Sequence, residues 1–262
     1  MSEPILHDRL PNPPWLEPTR WRLPGVLPLA LEDWLIRDEM FAPQMALRDR
    51  LISECQGDVH ALLPEALPAA QECFDLVLEA LGQDKGYRVE AGRVVRPDGA
   101  GVSLDRSRPL ITLGRLIQAD LCIMQPAEDE HVLTGAILCF PAYWTLREKI
   151  GKPLMRVHRP VPEYDADMGK RVQRLFDAIR PDRLLWRTNA NLHASPELFT
   201  PKMEDAPDSR VPPGAMAFVR SERQVLRKLP RTGATIFSIH TYMVRVADLD
   251  AEAKAEIAKL SL

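Results

Sequence analysis

Apolar positions recur at helical spacing between Glu65 and Gly82, where Ala70, Cys73, Phe74, Val77 and Leu81 form one stripe and Gly82 ends it. A preceding helix is predicted over roughly Asp38 to Cys55. The clearest amphipathic segment runs from Asp165 to Ile179, with Met168, Val172, Leu175, Phe176 and Ile179 on one face. Shorter helices are predicted after Ser107-Arg108-Pro109, where proline suits a first turn, and around Tyr143 to Ile150. Leu249, Ala253, Ile257 and Leu260 mark a final one.

Elsewhere the pattern reads as strands. Tyr87 to Glu90 and Arg93 to Val95 flank an Ala91-Gly92 turn, and Leu121–Met124 and His131–Phe140 flank the acidic turn Glu128-Asp129-Glu130. Further strands are predicted near Leu184 to Trp186, Ala215 to Leu226 and Ala234 to Val244, the last two joined through Leu229-Pro230-Arg231-Thr232-Gly233. No regular strand–helix–strand alternation appears, so the expected class is α+β, an antiparallel sheet with helices on one face. Residues 1–85 are expected to form an irregular arm and helices packed on a main domain of residues 86–262, the two making one continuous unit. In the arm, Pro11, Pro13, Pro14, Pro18, Pro24 and Pro28 preclude a long helix, and Trp15 and Trp21 are expected to pin it down.

Composition narrows the function. A hydrophobic fraction of 45% supports a buried core, and a net charge of −3 excludes a bulk electrostatic grip on nucleic acid. The longest run without a charged side chain, His131 to Leu146, contains a proline and is shorter than the ~20 residues of a membrane span. The amino terminus lacks the pattern of a signal peptide. A soluble, cytoplasmic protein with neither nucleic acid nor membrane as partner is expected. Cys55, Cys73, Cys122 and Cys139 are far apart and sit among apolar neighbours, as small core residues do in a reducing compartment. No cluster-type cysteine spacing, dinucleotide fingerprint, Walker loop, GxSxG elbow or HExxH is present.

Two places carry candidate chemistry. None of the six histidines is spaced for a helical zinc pair. His158, however, precedes Pro160-Val161-Pro162, where a restricted backbone can hold a neutral imidazole in one pose against a haem iron. The competing reading is a partly exposed loop histidine. The second place is Arg220-Ser221-Glu222-Arg223-Gln224 with the strand Ser238-Ile239-His240-Thr241-Tyr242. Alternation puts Glu222 and Gln224 opposite to Ser221 and Arg223, and groups Ser238, His240 and Tyr242 on one face. A guanidinium can stabilise negative charge developing on oxygen, and a carboxylate can hold an ammonium. A polar outer face laced with ion pairs competes with that reading.

The segments GKPLMRVHRPVPEY, LCFPAYW and RSERQVLRKLPRTGATIFSIHTYM, with EDWL at Glu32 to Leu35 and PELF at Pro196 to Phe199, resemble the α subunit of the haem-dependent oxidative N-demethylases. The resemblance implies a PAS-like domain enclosing haem b. It implies oxygen-dependent removal of a methyl group from a small secondary amine such as dimethylamine, with electrons from NADPH through FMN and [2Fe–2S] on partner reductase subunits. It implies His158 as the iron (metal) ligand, with Arg156 and Arg159 beside it as cofactor-binding residues, and Glu222, Arg223 and Tyr242 as catalytic residues. The chain departs from the family pattern in Arg187-Thr188-Asn189-Ala190-Asn191, where a tryptophan is missing, and at His240, where arginine is expected. A non-enzymatic haem sensor, or a structural partner without haem, remains the alternative.

Overall fold

The computed structural model describes residues 3–17, 24–161, 164–207 and 217–257. Its centre is a seven-stranded antiparallel sheet in the order β1-β8-β9-β10-β6-β7-β2. These strands are β1 (Leu27–Leu29), β2 (His60–Leu62), β6 (Asp120–Ala127), β7 (Glu130–Ile137), β8 (Leu184–His193), β9 (Phe218–Lys228) and β10 (Thr235–Arg245). Both edge strands come from the first 85 residues, so the amino-terminal segment completes the sheet and does not merely lie against it. Pro28 is tolerated because β1 is an edge. A separate three-stranded sheet holds β3 (Arg88–Glu90), β4 (Arg93–Val95) and β5 (Gly101–Ser103), adding a strand to the predicted hairpin.

The main sheet has two covered faces. Against one pack α1 (Phe41–Glu54), α3 (Leu67–Gln83) and α4 (Pro109–Gly114), which bring Met45, Ile52, Phe74, Val77, Leu110 and Leu113 onto Leu121, Ile123, Val225 and Ile236. Burying such side chains contributes about 1.5–3 kcal/mol each. The short α2 (Gln56–Val59) links α1 to β2. On the other face, α5 (Leu146–Lys149), α6 (Leu154–Val157) and α7 (Ala166–Ala178) place Leu146, Leu154 and Phe176 on Cys122, Leu226 and Ile239. Helices thus cover both faces and not one. The physical reason is β10, which is buried at every position from Thr235 to Val244 except Phe237, so neither side can face water. The last helix, α8 (Ala251–Ile257), accepts the Trp15 indole N–H on Ala253 O at 3.1 Å, which anchors the arm as expected; Trp21 and Leu260 lie outside the described residues.

Local chemistry sets two element boundaries. α1 begins three residues after the predicted start because Asp38 uses its side chain instead, accepting Met40 N–H at 3.0 Å. α7 begins where Asp165 caps it, accepting Met168 N–H at 2.8 Å. At the sheet's centre Arg48 and Asp120 are fully buried together at 2.6 Å, and Asp120 also accepts the N–H groups of Cys139 and Phe140. Removing one member of such a pair costs about 3–5 kcal/mol, because the other is left charged and buried. Cys73, Cys122 and Cys139 are buried and free, and burial pushes the Cys73 and Cys139 thiols up to about 12. Among the described residues no helix is long and apolar enough to cross a membrane.

Candidate functional site

Strand register decides which polar residues meet. Arg187, Asn189, Asn191 and His193 of β8 pair with Gln224, Glu222, Arg220 and Phe218 of β9, and Thr241 of β10 pairs with Glu222. Paired residues share a face, and this one is the face covered by α5, α6 and α7. Hydrogen bonds run along it as a ladder. Arg187 Nη1 donates to Gln224 Oε1 at 2.9 Å, Gln224 Nε2 donates to Glu222 Oε2 at 3.0 Å, and Arg220 donates to Glu222 Oε1 at 3.3 Å. Asn189 closes it, donating to Glu222 Oε2 at 3.2 Å while its Oδ1 accepts Glu222 N–H at 3.1 Å. Arg220 is itself clamped by the carbonyls of Leu198 and Phe140.

Several buried polar atoms on this face have no partner: Arg187 Nε, Thr241 Oγ1 and both ring nitrogens of His193. Buried orphans cost about 1–3 kcal/mol each, so their gathering around one carboxylate marks a place where something binds. Burial, helped by the Arg220 charge, pushes His193 down to about 4, so its ring is neutral at physiological pH. Tyr143, exposed and at φ 58, stacks on that ring with centroids 4.9 Å apart.

His158 stands at the carboxyl end of α6 on the same side of the sheet. Its Nδ1–H donates to Leu154 O at 3.0 Å, which leaves the lone pair on Nε2, the tautomer a metal requires. Burial lowers its pKa, with the charges of Lys149 and Arg187 adding to the effect. The ring stacks flat on Tyr164 with centroids 4.2 Å apart and 14° between planes. Lys149, 2% exposed, donates to Val157 O at 2.8 Å and to Glu204 Oε1 at 2.5 Å. Arg156 and Arg159 also donate to Glu204, at 2.8 Å each. These bonds hold the Glu204 carboxyl at about 2 and fix the turn that carries His158. Both arginines are therefore committed to a protein carboxylate.

The predicted catalytic trio does not share a side. Glu222 faces the His158 side, whereas Arg223 pairs with His240, and Tyr242 with Ser221, on the face beneath the amino-terminal arm. Arg187 occupies the place on the His158 side that Arg223 was expected to fill. The departures from the family pattern divide likewise: Asn189 and Asn191 border Glu222, and His240 is on the far side.

One cluster escaped the sequence reading. His7 and His240, both buried, reach Asp38 Oδ2 with Nε2 at 2.9 Å and 2.7 Å. The three are separated by 31 and 202 residues, so no spacing could announce them. The donor set would suit a divalent cation, yet His7 Nδ1 accepts Met243 N–H at 3.2 Å. That bond puts the His7 proton on Nε2, where a metal would need the lone pair. The cluster is a hydrogen-bonded lock. Burial alone would raise the Asp38 carboxyl, but bonds from His240 and His7 hold it well below the carboxylate range.

Fold and site together define an α+β protein whose sheet presents a half-buried carboxylate ladder on the same side as a histidine fixed in its metal-binding tautomer. The family model described as haem-dependent oxidative N-demethylase, alpha subunit-like, matches residues 25–260. The chain belongs to that family, which places it among haem-dependent oxidative demethylases and implies partner subunits.

Proposed function

We propose that this chain is the haem-carrying catalytic subunit of an oxidative N-demethylase, acting on a small methylated secondary amine such as dimethylamine. The observation that carries the reading is His158: its Nδ1–H is spent on Leu154 O, its Nε2 bonds to nothing among the described residues, and it shares a side with Glu222. Nε2 would hold the iron. The apolar walls around it, Leu154, Val157, Leu226, Phe237 and Ile239, suit a planar hydrophobic macrocycle, so the sheet and its short helices would form a PAS-like cradle for haem b.

When bound, haem supplies the redox chemistry with O2; this chain's residues bind, orient and tune. Glu222 would hold the substrate ammonium, its charge steadied by Arg220, Asn189 and Gln224 so that it cannot swing away. Arg187, whose Nε has no partner, would present a fixed positive charge to the oxygen side of the reaction. His193 stays neutral and cannot repel the cationic amine. Overall the amine loses one methyl group as formaldehyde, O2 is reduced to water, and two electrons come from NADPH. Partner subunits carrying FMN and [2Fe–2S] would deliver those electrons.

Haem-loaded protein, mixed with a competent reductase, NADPH and dimethylamine, tests the proposal. Formaldehyde should appear in step with NADPH use, and neither should occur without the reductase. Haem retention with no turnover of any small methylamine would favour a sensor.

A further inference from the structure

The sheet face opposite His158 holds a second recess, independent of the proposed haem chemistry. A cleft of about 240 Å3 lies there, bordered by β1, β8, β9, β10 and the amino-terminal arm. It has room for about eight waters at ~30 Å3 each, and so for a ligand of about that many non-hydrogen atoms. Leu29, Ile36 and Trp186 give it apolar walls. Its polar groups are Thr188, Arg223 and Tyr242, with Asp33 at the rim.

Arg223 is the unusual member. Its guanidinium donates to Trp34 O at 3.1 Å and Asp33 O at 2.6 Å and lies 5.6 Å from the Trp186 ring centre. Both acceptors are neutral carbonyls, and among the described residues no carboxylate pairs with it. Charges withdrawn from water are ordinarily paired, so this one lacks a counter-ion. The carboxylate of Asp33 is exposed and acts on Arg223 only from a distance. Thr188 is register partner to Arg223, so the two side chains are neighbours on this face. Thr188 is 3% exposed, and its Oγ1 has no hydrogen-bond partner. A buried donor beside an unpaired cation, under apolar walls, matches an anionic head with an apolar body.

We propose that this cleft binds a small carboxylate-bearing molecule, its carboxylate on Arg223 and Thr188 and its apolar body against Leu29, Ile36 and Trp186. The recess can be occupied whether or not the other face holds haem.

Isothermal titration of the full chain with benzoate and hexanoate, each set against its neutral amide, tests the site. Saturable one-to-one binding of an acid is expected, with the amide at least about tenfold weaker for want of a charge-assisted bond. Arg223→Gln should weaken the acid by at least about tenfold and Thr188→Val by about fivefold. Thr188→Val is nearly isosteric and keeps the test valid where Arg223→Gln fails to fold. Glu222→Gln, on the other face, should change nothing. No saturable binding of either acid, equal binding of acid and amide, or an affinity lost in Glu222→Gln yet kept in Thr188→Val would overturn the proposal.

Discussion

Glu222 pairs with Thr241 and Arg223 with His240 across the β9–β10 ladder, so two consecutive residues serve opposite sides of one sheet. Glu222, on the side of His158, is 14% exposed and accepts from Arg220, Asn189 and Gln224. If it holds the amine, Glu222→Gln removes the charge while keeping the shape. We expect dimethylamine affinity to fall about 10- to 100-fold, the worth of a hydrogen bond to a charged group, with haem content unchanged. Amine titration followed by haem absorption measures both; unaltered affinity would reduce Glu222 to a structural member of the ladder.

Arg187 and Arg223 can be told apart in the same assay. Arg187→Met should lower kcat by roughly 10²-fold with a smaller effect on amine KM, as loss of one fixed electrostatic donor does. Arg223→Ala, on the far face, should leave turnover near that of the parent protein. The reverse ranking, measured by steady-state formaldehyde release, would place the working guanidinium on the wrong strand face.

The sequence made the sheet and the long helices legible because their periodicity reports burial. Ala70, Cys73, Phe74 and Val77 are all within 1% exposure, as the stripe required. β8 was read only as far as Trp186 because Arg187-Thr188-Asn189-Ala190-Asn191 looks like a polar loop. Those residues are polar because they face the site, so the function itself hid the strand. Alternation correctly separated Glu222 from Arg223. It could not show which face His158 covers, since that depends on α6, a single turn too short to leave a periodic trace. The lock of His7, Asp38 and His240 depends on three segments brought together only by folding.

Stability should depend on pH through His193. Burial holds its folded-state value at about 4, so between that and the ordinary ~6.5 the unfolded chain takes up a proton that the folded chain excludes. The neutral ring's contribution is therefore full above ~6.5, declines as pH falls, and levels off below the folded value. The difference amounts to roughly 3 kcal/mol at most. Burial depresses His158 and His240 in the same direction, so the comparison must be made against a variant. Urea unfolding at pH 7 and pH 4.5 should show a smaller loss for His193→Gln than for the parent; identical losses would mean that His193 is protonated in the folded chain.

The absorption spectrum of haem-reconstituted protein, parent against His158→Ala, addresses the central claim. The parent should bind one haem per chain with the Soret band of a histidine-ligated iron. His158→Ala should lose haem or shift that band, and added imidazole should restore it by filling the vacated ligand position. A parent-like band and full haem content in His158→Ala would contradict the assignment and send the search for the ligand elsewhere in the chain.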